Sequence, residues 1–542
     1  MGEFSMTTVR RIFKVNGKPF FPLGGQSTNS SGYNEKESER AFEVIKLMHG
    51  NTLEIPVYWD IVEPEEGKFD FTMVDKLLAS ARRFDVKLIL LWFATWKNGN
   101  MDYSPAWVKT NPQRFKRVIS QTGKDIWNLS SHCKENMEAD KKAFVASCKH
   151  LKAKDSIDQT VIGIQIQNEP GIMGSDRDYG PEAQAIFEAP VPTELITAMQ
   201  KSGKGRVYDI WQKAGGKKSG NWADLFGWEG GELMSAWSIA TYIDTMAAAG
   251  KEVLNLPMFV NVWMMEQPWW PIPGEAYPSG GAVTKVLDIY KWAAPHIDIV
   301  APDNYPDDSR GYERNAISYS REDNPYFTPE SAGDLNMFRG IAQYNLIGNF
   351  FFGVNYIADE NCMVRPEYEA LIENFRCVSS AIPLLLKYQG TGKVHAIIQE
   401  YKQNAQFMDF DGWWGVAEWG EKTIRPQGSD WRHASGYVWK PSPEMKFGRG
   451  LVIQASLNEF YLVGSRCRLF LRRKPEGNKM YADQLVTESM IKVYGYIVSA
   501  DEGHFDKNGE FVADRRRNGD EIFRRGLWVE SDIGVLRVIT CD

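Results

Sequence analysis

The sequence predicts an α/β chain: a closed (β/α)8 TIM barrel followed by a smaller all-β, sandwich-like domain. Two patterns carry that expectation. Short apolar, β-branched runs alternate with amphipathic segments eight times before about residue 390, after which the texture changes to short β-rich runs between Gly, Pro, Asn and Asp clusters. A length of 542 residues also exceeds one ordinary domain. The expected division is an expression remnant over 1–6, a barrel over 7–390 with a long insertion around 171–231, and a β-rich accessory domain over 391–542.

In chain order, strand one is read over 20–26, where Gly24 and Gly25 let backbone approach a ligand closely. A helix over 35–48 follows, and strand two runs over 52–59, ending at Tyr58-Trp59. The turn-rich stretch Glu63-Pro64-Glu65-Glu66-Gly67-Lys68-Phe69-Asp70-Phe71 leads to a helix over 73–84. Strand three, 86–92, is the near-continuous apolar run of a parallel strand buried on both faces. Trp92, Phe93, Trp96, Tyr103 and Trp107 then fall within sixteen positions at its exit, where a barrel places its active-site wall.

A helix over 139–154 delivers the chain to Val161-Ile162-Gly163-Ile164-Gln165-Ile166-Gln167-Asn168-Glu169-Pro170. This is strand four, an apolar run stopping at an amide, a carboxylate and a proline. Alone, Asn-Glu-Pro reads equally as a turn. The Gly-rich insertion over 171–231 is expected to frame a substrate cleft. A helix over 233–253, strand five over 258–263, a helix over 283–292 and strand six over 297–305 come next, the last with the polar exit Asp303-Asn304-Tyr305. Strand seven over 325–330 ends on Glu330. A helix over 337–346, strand eight over 350–357 and a helix over 368–386 close the barrel. Beyond 387, strands are expected over 394–399, 450–454, 460–463, 469–471 and 491–498, and Trp413-Trp414 with Glu418-Trp419 suit either a sugar platform or a sandwich core.

Composition narrows the chemistry. A net charge of −7 supplies no basic field for a polyanion, so nucleic acid is not the expected ligand, and Arg515-Arg516-Arg517 with Arg524-Arg525 reads as a solvated face. No membrane-spanning segment is expected. The six cysteines and seven histidines are scattered without metal or redox spacing, so free thiols, no metal and no cofactor are expected. Nineteen Trp suit the faces of sugars, though cores use them too. Residues 1–6 lack a signal core, so a cytoplasmic protein and an exported one with its native signal removed are both compatible with the sequence, as are the sequons at Asn29 and Asn128. Oligomeric state is not assigned.

Strand ends of a (β/α)8 barrel converge on one face, so Glu169 and Glu330, 161 positions apart, are expected to meet. Two carboxyl groups in an aromatic cleft are what hydrolysis of a glycosidic bond requires, one as acid and one as nucleophile. Asn168 would donate to the hydroxyl beside the anomeric carbon. Tyr58, Trp92, Asn304 and Tyr305 are the other expected substrate contacts, and Glu54, Glu266, Asp303 and Glu418 compete less well for the nucleophile role.

The Asn168-Glu169 pair, the Pro329-Glu330 end and the stretch Trp59…Glu63-Pro64…Gly67…Phe69-Asp70-Phe71 resemble the retaining glycoside hydrolases whose two glutamates follow barrel strands four and seven. Within that superfamily the chain most resembles glycoside hydrolase family 35, the β-galactosidases, over about residues 10 to 390. The resemblance implies Glu169 as acid/base, Glu330 as nucleophile, Asn168 as a galactose contact, and Tyr58 and Tyr305 as sugar-contacting tyrosines. The segment Ile55-Pro56-Val57-Tyr58-Trp59 departs from the histidine-containing version of animal members. The expected activity is cleavage of terminal β-galactosyl residues by double displacement. A related hydrolase for another β-linked sugar and a non-catalytic carbohydrate-binding protein are the alternatives.

Overall fold

A computed structural model describes residues 12–264, 272–306, 308–332, 336–424, 437–440, 447–474, 496–523 and 526–541. Eight parallel strands form the first sheet: β1 (Leu23–Gln26), β2 (Thr52–Tyr58), β3 (Lys87–Lys97), β4 (Val161–Asn168), β5 (Met258–Trp263), β6 (Ile299–Asp303), β7 (Thr328–Ser331) and β8 (Asn349–Phe352). Each is followed by a helix: α1 (Glu35–Leu47), α2 (Thr72–Phe84), α3 (Lys134–Asp155), α4 (Gly230–Val253), α5 (Leu287–Ala293), α6 (Ser309–Tyr319), α7 (Met337–Gln343) and α8 (Glu369–Tyr388). The hydrogen-bonded order is β6-β5-β4-β3-β2-β1-β8-β7. Between β6 and β7, among the described residues, no ladder forms, and the backbone bond Asn304 N–H to Glu330 O (2.9 Å) joins the two. The (β/α)8 architecture read from the alternation is the one observed.

Strand alternation sorts the core. Ile89, Leu91, Phe93, Phe259, Ile299, Ala301, Phe327 and Phe350 fill the barrel interior, whereas Leu53, Ile55, Val57, Leu88, Leu90 and Trp92 face the helix ring. Glycine in β1 serves the sheet itself: a Cβ on Gly24 would lie 1.7 Å from Thr52 O, so the close approach is to the neighbouring strand.

Several element bounds differ from the sequence reading, each for a local reason. Helix α6 was not anticipated; it is started by Asp308, whose Oδ1 accepts from Gly311 N–H (2.8 Å). Strand β8 stops at Phe352 because Gly353, at φ 82°, turns the chain into a 3-10 turn. The insertion folds into helices Pro181–Glu188, Thr193–Ser202, Arg206–Lys213 and Trp222–Phe226, which join the apolar shell of α4 and α5 through Leu195, Met199, Val207 and Trp222. Asn128 is fully buried, its amide donating to Gly99 O and Gly171 O. No described helix is long and apolar enough to cross a membrane.

The second domain is a sandwich. Strands β9 (Val394–Ile398), β10 (Ala405–Phe410), β11 (Trp413–Trp419), β12 (Arg449–Ser456), β13 (Glu459–Ser465), β14 (Cys467–Arg473), β15 (Ile497–Phe505), β16 (Phe511–Arg516), β17 (Leu527–Val529) and β18 (Val535–Thr540) build two antiparallel sheets, ordered β9-β12-β13-β18-β15-β16 and β10-β11-β14-β17. A further two-stranded ladder pairs 421–424 with 437–440. Ile397, Val452, Phe460 and Leu462 face Met408, Trp413, Leu469 and Val529 between the sheets. Their strand neighbours Ala396, Leu451, Ile453, Tyr461 and Val463 point the other way, into the core shared with α8.

Trp413 and Trp419 are buried, and Glu418 pairs with Arg468, so this group packs the sandwich. The basic run is also tied down. Arg515 and Arg517 bind Glu502, Arg516 binds Asp501, and Arg517 lies fully buried over Trp528. The expected remnant over 1–6, the first part of the strand expected over 491–498, Arg524-Arg525 and Glu266 lie outside the described residues. All six cysteines are free thiols.

Candidate active site

The carboxyl ends of the strands open into a cavity of about 840 Å³ with Glu169, Asp303 and Glu330 at its floor. Each offers a carboxylate oxygen, and the three lie within 4.8 Å of one another. Glu169 is 7% and Glu330 5% exposed. The fold therefore brings together the two glutamates expected to meet.

The backbone that presents Glu169 is strained. Gln167 and Glu169 adopt left-handed φ values of 64° and 45° on either side of Asn168. Pairing of β4 with β5 ends at Gln165–Phe259, and the side chain of Asn261 takes over, accepting from Glu169 N–H (2.8 Å). Gln167 is held by the buried carboxylate of Asp140 on α3, to which Gln167 Nε2 (2.6 Å), Trp92 Nε1 (2.8 Å), Thr95 Oγ1 (2.6 Å) and Tyr242 OH (3.2 Å) all donate. A polar brace behind the strand thus fixes the turn that aims Glu169 into the cavity.

The three carboxyl groups occupy different environments. Four donors reach Glu330: Gln26 Nε2 (3.1 Å), Asn168 Nδ2 (3.2 Å) and Asn261 Nδ2 (3.3 Å) on Oε1, and Tyr305 OH (2.8 Å) on Oε2. Burial first, and then the charge of Glu330, push Glu169 up to about 7, while Lys97 and a hydrogen bond with Asp303 act in the opposite direction. Asp303 is raised further, by full burial and then by Glu330 and Glu169. Three carboxylates so close resist being charged together, and burial with mutual repulsion favours a proton within the Glu169–Asp303 pair. On β2, Glu54 is fully buried without a hydrogen-bond partner for either oxygen among the described residues, and its carboxyl is raised by burial and then by Glu330.

Such a trio has the spacing of ligands for a divalent cation. The surrounding amides of Gln26, Asn168 and Asn261 turn N–H groups toward Glu330, and Lys97 Nζ binds Asn168 Oδ1 (2.7 Å). A shell of donors and a cation suits hydroxyl groups and a carboxylate anion better than a metal ion.

The other substrate contacts expected from the sequence divide. Tyr305 lines the cavity and binds Glu330, and Asn168 bridges Lys97 and Glu330. Tyr58 does not reach the cavity: its hydroxyl donates to Asn29 O and accepts from Gly32 N–H, and its ring stacks on Tyr33 at 3.9 Å. Trp92 faces outward to Asp140, since alternation along β3 points it at the helices. Asn304 lies behind the wall, donating to Tyr326 OH (2.9 Å) and accepting from Asn315 Nδ2 (2.9 Å). No described residue of 171–231 lines the cavity, so the insertion does not frame it.

Sequence reasoning passed over Lys97, Asn261, Trp263 and Phe352, which complete the floor and the aromatic walls. Asn261 had a signal, as the one amide interrupting the apolar run Met258-Phe259-Val260-Asn261-Val262-Trp263. Lys97 gave none, because its register depends on irregular pairing between Trp92–Ile166 and Lys97–Asn168.

Residues 29–212 match the glycoside hydrolase family 42 model, described as β-galactosidase, and residues 371–528 match a domain of unknown function, DUF5597. A comparison with curated proteins finds no match. Among solved structures, the β-amylase catalytic domain of Paenibacillus polymyxa is 12% identical with a TM-score of 0.47, over 65% of this chain and 97% of that one. The β-galactosidase of Bacillus circulans sp. alkalophilus is 14% identical with a TM-score of 0.47, over 68% of this chain and 57% of that one. The exo-β-1,4-mannosidase Op5Man5 of Opitutaceae bacterium strain TAV5 is 14% identical with a TM-score of 0.42, over 70% and 63%. The chain spans less than two thirds of the length of these last two proteins.

The chain thus carries a β-galactosidase-like glycoside hydrolase domain. Family 42 is indicated in place of the family 35 expected from the motifs. Those motifs, a glutamate after each of strands four and seven, characterise the whole superfamily and do not separate its families.

Proposed function

We propose that this protein is a retaining β-galactosidase that removes terminal β-galactosyl residues from oligo- or polysaccharides by double displacement. The observation that carries this reading is the pairing of Glu169 and Glu330, with oxygens within 4.8 Å at the floor of the cavity. Oxygens within that limit are compatible with the roughly 5–5.5 Å carboxyl separation of retaining enzymes.

In the first step Glu330 attacks the anomeric carbon while Glu169, protonated near neutral pH, gives its proton to the leaving oxygen. The four donors around Glu330 hold the attacking carboxylate in place, and Tyr305 OH keeps one of its oxygens oriented. As the glycosyl ester forms, the charge on Glu330 is lost, and with it part of the repulsion that kept Glu169 protonated. Glu169 then accepts a proton from water, which attacks the ester and releases the sugar with its configuration retained. Asp303, raised by full burial and then by Glu330 and Glu169, adjoins Glu169 and accepts from Asn261 Nδ2 (2.9 Å). Galactose as the sugar is supported by the family 42 match.

A panel of chromogenic β-glycosides tests the proposal. The β-galactoside should be turned over best, Glu330→Gln should abolish turnover, and the first product seen by NMR should be the β-anomer. An α-anomer, or normal turnover by Glu330→Gln, would overturn it; a stronger signal from another β-glycoside would transfer the mechanism to that sugar.

A further inference from the structure

One wall of the cavity is built by α6, the helix absent from the sequence reading. Arg310, Gly311, Arg314 and Asn315 all line the cavity, and their spacing is that of one helix face turned toward it. The two arginines are exposed, and neither guanidinium has a hydrogen-bond or ion-pair partner among the described residues. This sets them apart from their neighbours: Arg339 binds Glu313 and Glu400, and Arg321 binds Asp288 and Asp323. Asp308, which lines the same wall, caps α6 through Gly311 N–H.

Depth decides what the arginines meet. Glu169 and Glu330 are almost fully buried at the floor, and Arg310 and Arg314 stand at the mouth. A terminal sugar cleaved at the floor leaves the rest of its chain running outward past the mouth. Guanidinium groups one helical turn apart, without a partner among the described residues, suit a carboxylate or sulfate that accepts paired N–H bonds. Resting on the glycosidase reading above, we propose that the leaving-group side of the substrate is anionic: a terminal β-galactosyl residue linked to a uronic acid or sulfated sugar, whose negative group is held by Arg310 and Arg314.

The test compares 4-methylumbelliferyl β-galactoside with 3-carboxyumbelliferyl β-galactoside, whose leaving groups differ chiefly in one carboxylate, in wild type and in R310A/R314A. The ratio of kcat/KM for the carboxylated over the neutral substrate should fall about tenfold in the double variant, the size of one charge-assisted contact. It should fall further in R310E/R314E, and the wild-type ratio should decline with added salt. Equal losses on both substrates, or a ratio insensitive to charge reversal, would overturn the inference. Absence of turnover of either substrate by the wild type would instead sink the glycosidase reading itself.

Discussion

At the scale of single residues, the site is governed by three carboxyl groups that cannot share one protonation state. With Glu169 held near 7, its acid form is depleted as pH rises, so kcat/KM should fall through a limb near pH 7. Glu169→Gln should remove that limb and lower turnover of an unactivated β-galactoside by about 10²- to 10⁴-fold, measured as a pH–rate profile. Glu54 gives a stability prediction. Its folded-state pKa is raised, so the folded protein keeps a proton that the unfolded chain releases above about pH 4.5. Stability from this group is present at low pH and lost as pH rises toward the folded value. Thermal melts between pH 5 and 8 should therefore show a shallower decline for Glu54→Gln than for wild type. Glu169 and Glu330 were legible because each ends an apolar run on a carboxylate. Lys97 owes its role to the register of a neighbouring strand, which no local pattern encodes, whereas Asn261 stands out as an amide within an apolar run. Tyr58 misled because an aromatic strand end looks the same whether it faces a ligand or a loop.

At the scale of elements, position around the ring was readable and local shape was not. Seven of the eight helices were expected, whereas α6 was not: Gly311 falls in its first turn and Arg310, Arg314 and Asn315 fill the face it turns to the cavity, so the apolar spacing of Tyr312, Ala316 and Tyr319 is masked. The part of the site that reads the leaving group is thus the part the sequence obscured. The brace around Asp140 belongs to this scale, because it ties β3, β4, α3 and α4 together. Asp140→Ala would leave four buried donors without their acceptor and should cost about 3 kcal/mol or more in denaturant-monitored stability. It should also reduce turnover in the fraction that remains folded, since Gln167 would lose its hold on the turn before Glu169. A change smaller than about 0.5 kcal/mol would show that the brace is dispensable.

At the scale of the whole molecule, barrel and sandwich share one apolar core. Val394, Leu451, Ile453, Val463 and Val535 pack in the same cluster as Phe375, Val378 and Leu385 of α8, and Arg466 binds Glu373 on that helix. Calorimetry should accordingly show one cooperative unfolding transition, and a chain ending at residue 390 should aggregate or melt far earlier than the full protein. Two well-separated transitions would show that the halves are independent. The sequence signals the change of texture at this junction but not the seam, because which face of each later strand meets α8 depends on the pairing of the two sheets.

The joint between β6 and β7 has a consequence of its own. Every other neighbouring pair in the ring is zipped by a ladder, and this one is held by the Asn304 amide on the carbonyl of Glu330. The barrel is a bracelet whose clasp includes the proposed nucleophile. A ligand touching both Tyr305 and Glu330 closes the clasp from above, so occupancy of the pocket should slow amide hydrogen exchange in β6 and β7 ahead of the six strands already zipped.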